Sequence, residues 1–135
     1  MGGHSSQLQS AYALEALEMV RRICRELPEV EEVIDGFGHT TFKVRGKSFI
    51  LMGEGEQGFR LSFKSDRENQ EMLIQQSRYH KTPYIGQHGW VSTSSEEDLH
   101  WEELAGLLKE AFLRAAPKRM VKELLNAMKS AQPLP

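Results

Sequence analysis

Few residues of this 135-residue sequence have the types and spacing that catalysis or metal binding requires. No GxSxG, P-loop or GxGxxG motif is present, and the glycines of GEGEQG (53–58) enclose two carboxylates that would repel a phosphate. The single cysteine, Cys24, falls on the apolar stripe of a predicted helix, which favours core packing over a reactive thiol. The histidines lack HExxH, paired-cysteine or His-x-His spacing and are scattered at His39, His80, His88 and His100. We therefore expect no enzyme activity, no metal and no cofactor.

Positive charge on predicted strands is the stronger candidate for function. Five cations lie on the first and third of three predicted strands and at the turn after the first, namely Lys43, Arg45, Lys47, Arg60 and Lys64. Such cations neutralise nucleic-acid phosphates without reading the base sequence. This predicts weak DNA binding by the outer face of a sheet, with Arg45-Gly46-Lys47 as the tip of a hairpin wing. Glu54 and Glu56 at the second turn oppose it, and a plain solvated face is the alternative.

Two further sites are predicted from local composition. A protein or small-ligand interaction module would use the apolar Ile50 and Met52 of the middle strand together with an aromatic loop pocket formed by Tyr84, His88 and Trp90. An anion-binding point is expected at Lys118 and Arg119, because cations in the first turn of a helix are disfavoured by its dipole unless an anion compensates them. The alternative for this pair is a salt bridge to one of three acids, Glu29, Glu31 or Glu32.

The element that positions the basic face is a run of three antiparallel strands between Gly38 and Lys64. Phe42 and Val44 alternate with polar residues, and a two-residue turn at Arg45-Gly46 would place Phe42 opposite Phe49. Together with Trp90, the predicted core residues are Phe42, Val44, Phe49, Leu51, Phe59, Leu61 and Phe63. The other face would carry Thr41, Lys43, Ser48, Ile50, Met52, Arg60, Ser62 and Lys64.

Amphipathic helices are predicted around this sheet. Apolar residues at helical spacing indicate a helix over residues 10–27, a short one over 66–76, a third from Trp101 and a fourth from Pro117, with a last strand near Trp90. The expected fold class is α+β, a two-layer structure with an antiparallel sheet packed against helices in the order α-β-β-β-α-β-α-α. We expect a disordered segment over residues 1–9, one domain over 10–129 and a frayed tail over 130–135.

Composition narrows the class of protein. The formal net charge is -2, which excludes a strongly basic protein, but residues 104–135 hold 6 basic and 2 acidic side chains while residues 1–37 hold 3 and 7. A lone cysteine fits a reducing compartment, and no apolar run has the length of a membrane span. We therefore expect a cytoplasmic protein.

Three blocks of the sequence resemble the MmcQ/YjbR family: GHTTFKVRGKSF (38–49), TPYIGQHGWV (82–91) and APKRMV (116–121). They occur in the order typical of that family, and the resemblance covers roughly residues 14 to 128. It implies a small α+β protein of the CyaY-like or "double wing" type with an antiparallel sheet, and a DNA-binding role that is itself inferred from structure. After Val91 the sequence STSSEED departs from the apolar alternation of the family, so the last strand is expected to be short.

Overall fold

A computed structural model describes residues 6–93 and 99–131, and it confirms the predicted α+β class. Its strands form one antiparallel sheet in the order β1-β2-β3-β4-β6-β5. The strands are β1 (Val30–Ile34), β2 (Thr40–Val44), β3 (Lys47–Gly55), β4 (Gly58–Phe63), β5 (Tyr79–Lys81) and β6 (Val91–Thr93). The helices are α1 (Ala11–Arg25), α2 (Arg67–Leu73), α3 (Trp101–Ala115) and α4 (Lys118–Ala131), with a 3-10 turn at Gly86–His88.

All four helices pack on one face of the sheet. Each contributes apolar side chains to a single buried cluster, for example Val20 from α1, Leu73 from α2, Phe112 from α3 and Met120 from α4. The Phe112 ring packs edge-on against Phe49 of β3 with ring centroids 5.6 Å apart. This geometry leaves the opposite face of the sheet, called the outer face below, without a helical cover.

The β2–β3 hairpin contains a β-bulge that was not predicted from the sequence. Val44 pairs with Lys47 across the Arg45-Gly46 turn, as predicted, but Phe42 pairs with Ile50 because the register shifts between Phe42 and Lys43. Phe49 is therefore an extra residue on β3, and the predicted Phe42–Phe49 pairing is wrong. Such a bulge changes which side chains of the strand face the core.

The bulge overturns the predicted positions of three consecutive residues. Directly paired residues share a face of the sheet, so Ile50 and Met52 lie on the same side as Phe42, Leu61 and Phe63. Ile50 and Met52 are fully buried in the core, contrary to their predicted place on the outer face. Leu51, predicted in the core, lies on the outer face and is only half-buried. The remaining predicted core residues are buried.

Two edge strands extend the predicted sheet from four strands to six. The acidic segment before Gly38 forms β1, which pairs with β2 along its whole length. The aromatic loop begins with β5, which pairs with β6. Residues 94–98, where the last strand would continue, lie outside the described part of the chain, so its predicted shortness stays a prediction.

The N-terminal segment contacts the sheet from residue 6 onward. The Ser6 N–H donates to Phe37 O, the Glu54 N–H donates to Ser6 O, and Leu8 is buried. The N–H groups of Gln9 and Ser10 donate to Glu54 Oε1 at 2.7 and 2.8 Å, while the Ser10 hydroxyl caps α1 by accepting from Ala13 N–H. The segment is thereby fixed to the end of β3.

Candidate nucleic-acid interface

The outer face of the sheet has a mostly polar floor. A row of paired residues crosses it from β2 to β5, and it consists of Thr41, Leu51, Ser62, Ser92 and His80. No helix of the described residues covers this face, yet Thr41, Ser62 and Ser92 are buried, while Leu51 and His80 are half-buried. The hydroxyls of the row are therefore largely shielded from solvent.

Hydroxyl groups within the floor bond to one another. Ser92 Oγ lies 2.6 Å from Ser62 Oγ and 2.9 Å from Thr82 Oγ1, so one chain of hydrogen bonds links β4, β6 and the residue that follows β5. The buried Thr41 hydroxyl has no hydrogen-bond partner among the described residues. Burial lowers the pKa of His80, and the nearby charge of Arg60 lowers it further, so His80 is neutral at neutral pH.

Three of the five predicted cations stand on this face. Lys43, Arg60 and Lys64 all occupy outer-face positions, and none of them forms an ion pair with any residue that the structure describes. Lys43 sits opposite Glu31 of β1, which places one carboxylate at that edge. Arg60 and Lys64 are four residues apart, so their Cα atoms are separated by about 13 Å along the strand.

The hairpin tip does not join this group. Arg45, at a backbone φ of 49°, donates from Nε and Nη2 to the Glu29 carboxylate at 2.6 and 3.1 Å, and this hydrogen bonding raises the pKa of Arg45 and lowers that of Glu29. Lys47 pairs with Val44 and so projects from the helix side of the sheet. The structure therefore brings together Lys43, Arg60 and Lys64 but not the two predicted tip residues.

A cleft of about 510 Å³ lies over the Arg60 end of the outer face. Its floor comes from β3 and β4, including Leu51, Gly53, Arg60 and Ser62. One wall comes from the β1–β2 connection at residues 35–39, and the other from residues 82–85 after β5. Because β1 and β5 are the two edges of the sheet, the walls approach the floor from opposite sides.

Asp35 organises the first wall. Its Oδ1 accepts the N–H groups of Phe37 and His39 at 2.8 and 2.9 Å, and its Oδ2 lies 3.0 Å from His39 Nδ1. Burial opposes ionisation of Asp35, but the hydrogen bonds from the two N–H groups and the His39 ring outweigh it and lower the pKa of this carboxyl. The carboxylate therefore serves the loop and is not free to bind a ligand cation.

Gly53 makes room for the same wall. A Cβ at this position would lie 2.7 Å from His39 Cδ2 and 3.3 Å from Ser6 Cβ, so the His39 ring and the N-terminal segment rest directly on the β3 backbone. This packing explains how a half-buried histidine is held at the edge of the cleft.

Two aromatic side chains project into solvent at the cleft. Phe37 is 72% exposed and Tyr84 is 97% exposed, and both line the cleft. Tyr84 also has a φ of 68°, a left-handed conformation that costs a non-glycine residue on the order of 1 to 3 kcal/mol. Strained backbone of this kind clusters at functional positions, and a ring that is 97% exposed contributes little apolar burial to the fold.

The predicted Tyr84, His88 and Trp90 pocket does not form as a unit. Tyr84 lines the cleft, whereas His88 is exposed on the 3-10 turn and Trp90 is buried, and neither of these two lines the cleft. The Gln70 side chain holds this loop by donating to the carbonyl oxygens of Gly86 and Trp90 at 2.7 and 2.8 Å. With Ile50 and Met52 in the core, the predicted interaction surface retains only Tyr84.

The predicted anion point lies at the start of α4. Lys118 and Arg119 are exposed there, and the partner of Arg119 is Glu123, one turn further along, at 3.6 Å. The alternative pairing with the acidic first segment is absent from the described residues, because Glu29 is bound to Arg45 and Glu32 to Arg21. Anion binding at this helix start stays a prediction.

Other chemistries find little support in the described parts of the chain. Residues 6–93 and 99–131 contain no group of three or more His, Cys, Asp or Glu side chains that could hold a metal ion. Burial raises the pKa of the Cys24 thiol to about 12, so the thiolate is not accessible near neutral pH. Within the same residues no helix combines the length and apolar character needed to cross a membrane.

Sequence reasoning missed Asp35, Phe37 and His39 as parts of the site. The signal was present in the Asp-Gly-Phe-Gly-His stretch, where an acid followed by glycines is typical of a turn built on side-chain to backbone hydrogen bonds. An aromatic residue at the tip of such a turn is expected to be exposed to solvent. That Phe37 lines the same cleft as Arg60 depends on the order of the strands in the sheet, which this stretch does not encode.

Comparison with known proteins places these features in a family. The family model described as YjbR matches residues 25–114, two thirds of the chain. The crystal structure of Deinococcus radiodurans protein DR2400, with the family-model domain DUF419, is 25% identical and superimposes with a TM-score of 0.64 over 92% of this chain and 90% of that chain. No curated protein matches the sequence.

Proposed function

The chain belongs to the YjbR family, and on that premise we propose that it binds nucleic acid weakly, with little sequence preference, through the outer face of its sheet. One observation carries the proposal. Lys43, Arg60 and Lys64 stand together on a face that no helix covers, and none is neutralised by an ion pair within the described residues. Unpaired cations on an open surface are available to phosphates.

The floor beneath these cations does not read bases. The Ser62 and Thr82 hydroxyls line the cleft but are buried and bonded to Ser92. Contacts to phosphates, which carry no base code, are therefore left to the cations. The face therefore supports backbone contacts and little sequence discrimination.

The acidic second turn is a weaker objection than the sequence suggested. The Glu54 carboxylate is held by Ser10 and Gln9 at the start of α1, and the hydrogen bonds from the Ser10 side chain and N–H lower the pKa of Glu54. Of the two acids at that turn, Glu54 and Glu56, only Glu56 is exposed. Arg45 is bound to Glu29, so the hairpin tip predicted as a wing offers fewer free cations. The proposal therefore rests on the outer face of the sheet and not on the hairpin tip.

A second candidate, a small-ligand interaction module, is favoured by the cleft itself. Its volume of about 510 Å³ falls in the range of small-molecule sites, and it combines apolar walls with Arg60. A ligand with an aromatic ring and an anionic group would match this lining.

Salt dependence tests the nucleic-acid proposal. We expect a DNA duplex to bind with a slope of log affinity against log salt of about -2.7, since three neutralised phosphates contribute about -0.9 each. A Lys43→Ala, Arg60→Ala, Lys64→Ala triple variant should lose most of this binding. The matched control removes three exposed cations of the helical layer, Arg25→Ala, Lys122→Ala and Lys129→Ala, and should bind as wild type does.

Two results would refute the proposal. One is the absence of binding to either single-stranded or duplex DNA at low salt. The other is equal loss of affinity in the outer-face and helical-layer variants, because net charge alone would then explain the interaction.

A further inference from the structure

We infer that the cleft selects single-stranded nucleic acid, with unpaired bases stacked on both Tyr84 and Phe37 and an adjoining phosphate bound by Arg60. This inference rests on the proposed function and adds to it the form of nucleic acid that is recognised. It concerns the cleft alone, whereas the proposed function rests on the whole outer face.

The exposed aromatics carry the inference. Phe37 and Tyr84 are among the most exposed large hydrophobic side chains of the described residues, and both line one cleft, from walls that follow opposite edge strands. A duplex hides the faces of its bases within the helical stack. A single strand offers them, and aromatic side chains that bind single strands do so by stacking on these faces.

The backbone of Tyr84 points the same way. Its left-handed φ of 68° is maintained by surroundings that are otherwise well tied down, since Gln70 bonds to the carbonyls of Gly86 and Trp90 just beyond it. The loop is thus braced from the buried side while its aromatic ring is presented to solvent. A ring that only filled space would be packed against the sheet.

Arg60 supplies the anion site next to these rings. It lines the cleft without an ion-pair partner among the described residues, although two carboxylates line the same cleft. Asp35 is held by Phe37, His39 and the His39 ring, and Glu54 by Gln9 and Ser10. Because both acids are committed to the walls, the Arg60 guanidinium remains available to a phosphate.

The lining offers little to distinguish one base from another. The Gln57 amide lines the cleft and can both donate and accept a hydrogen bond, whereas the buried Ser62 and Thr82 hydroxyls are already bonded to Ser92. The cleft volume of about 510 Å³ is in the range of small-molecule sites, so a short stretch of the strand, which carries the two stacked bases, is the expected occupant. Binding should therefore depend on the presence of bases more than on their identity.

Fluorescence anisotropy with three probes of equal length tests the inference: an oligo-dT single strand, a duplex and an abasic single strand. The wild-type protein should bind the oligo-dT strand most tightly. Tyr84→Ala and Phe37→Ala should each weaken that binding by about 5-fold to 100-fold, the range of one lost base stack, and leave abasic binding unchanged. Tyr84→Phe should bind as wild type does.

The control variant is Met72→Ala on α2, a large apolar side chain of 63% exposure remote from the cleft. It should bind all three probes as wild type does, and the thermal midpoints of all variants should match, since each changed side chain is exposed. If the abasic strand and the duplex bind as tightly as oligo-dT, or if Tyr84→Ala and Phe37→Ala have no effect on oligo-dT, the inference is wrong while the proposed function stands. If no probe binds at low salt, both are wrong.

Discussion

The two faces of the central sheet are built from alternating residues of the same strands, yet they hold different kinds of side chain. The inner face presents Phe42, Ile50, Met52, Leu61 and Phe63, all buried beneath four helices. The outer face presents hydroxyls at its floor and unpaired cations above them. Burial of apolar area stabilises the first face, while the second contributes hydrogen bonds and surface charge.

The contrast teaches that, along one strand, the residues that stabilise the core and the residues to which we assign binding differ only in which face of the sheet they occupy. An inward position contributes a large transfer free energy and tolerates no polar group, whereas the neighbouring outward position contributes little and can carry a charge. The bulge at Phe49 sets which face each later residue of β3 occupies. Substitutions at neighbouring residues should therefore have very different effects.

Ile50 and Leu51 provide the sharpest test, with the largest expected effect. We expect Ile50→Ala to lower the free energy of unfolding by about 2 to 5 kcal/mol, because it opens a cavity in the core, and Leu51→Ala to lower it by about 1 kcal/mol or less. Urea unfolding of both variants measures the difference. Equal losses, or a larger loss for Leu51→Ala, would mean that the bulge is misplaced and that the unbroken Phe42–Phe49 register is correct.

The same residues show how far the sequence alone reaches. The fold class follows from elements with clear periodicity, such as the α1 stripe of Val20 and Cys24. The face that each residue of β3 occupies does not follow, because Phe49 to Met52 is an unbroken apolar run that fits the core with either face inward. A bulge of one residue decides between the two, and it places Phe49 against Phe112 of α3, a contact that only the fold reveals.

The site shows the same division. Lys43, Arg60 and Lys64 could be assigned to one face because two-residue alternation connects them within and across strands. Arg45 could not be excluded, since its partner Glu29 is 16 residues away in the chain and depends on the fold for contact. The cleft joins residues 35–39 with residues 82–85, two segments that only the strand order brings over one floor.

Ser92 tests whether the outer floor contributes to stability as well as to binding. Ser92→Ala should lower the free energy of unfolding by about 1 to 3 kcal/mol, because the buried hydroxyls of Ser62 and Thr82 lose their shared partner. Chemical denaturation measures this. Ser48→Ala, a half-buried serine on the same face, should change stability by less than about 0.5 kcal/mol. A negligible effect of Ser92→Ala would mean that the hydrogen bonds among the floor hydroxyls do not stabilise the fold.

Gly53 sharpens the comparison at the wall of the cleft. Gly53→Ala should lower the free energy of unfolding by about 1 kcal/mol, because the new methyl group displaces the His39 ring from the β3 backbone. Gly55→Ala, two residues along the same strand, meets no atom within 4 Å and should be neutral or stabilise by up to about 1 kcal/mol. Thermal unfolding of the pair decides the matter, and indistinguishable midpoints would contradict the packing of His39 over Gly53.

The smallest expected effect is a dependence of stability on pH that arises at the rim of the outer face. The hydrogen bonds donated to Asp35 lower its pKa in the folded state, so the unfolded chain binds the proton more tightly. This contribution to stability is fully present above the unfolded-state pKa of about 3.9 and is lost as the pH falls through the lower folded-state pKa.

The variant Asp35→Asn tests this dependence, because it keeps an acceptor oxygen but cannot titrate. The stability advantage of wild type over Asp35→Asn should therefore be constant from pH 6 to about pH 4.5 and shrink below about pH 4, as measured by urea unfolding at each pH. An advantage that persists unchanged to pH 2.5 would show that the Asp35 carboxylate is not held by the loop, and the first wall of the cleft would then lack its organising contact.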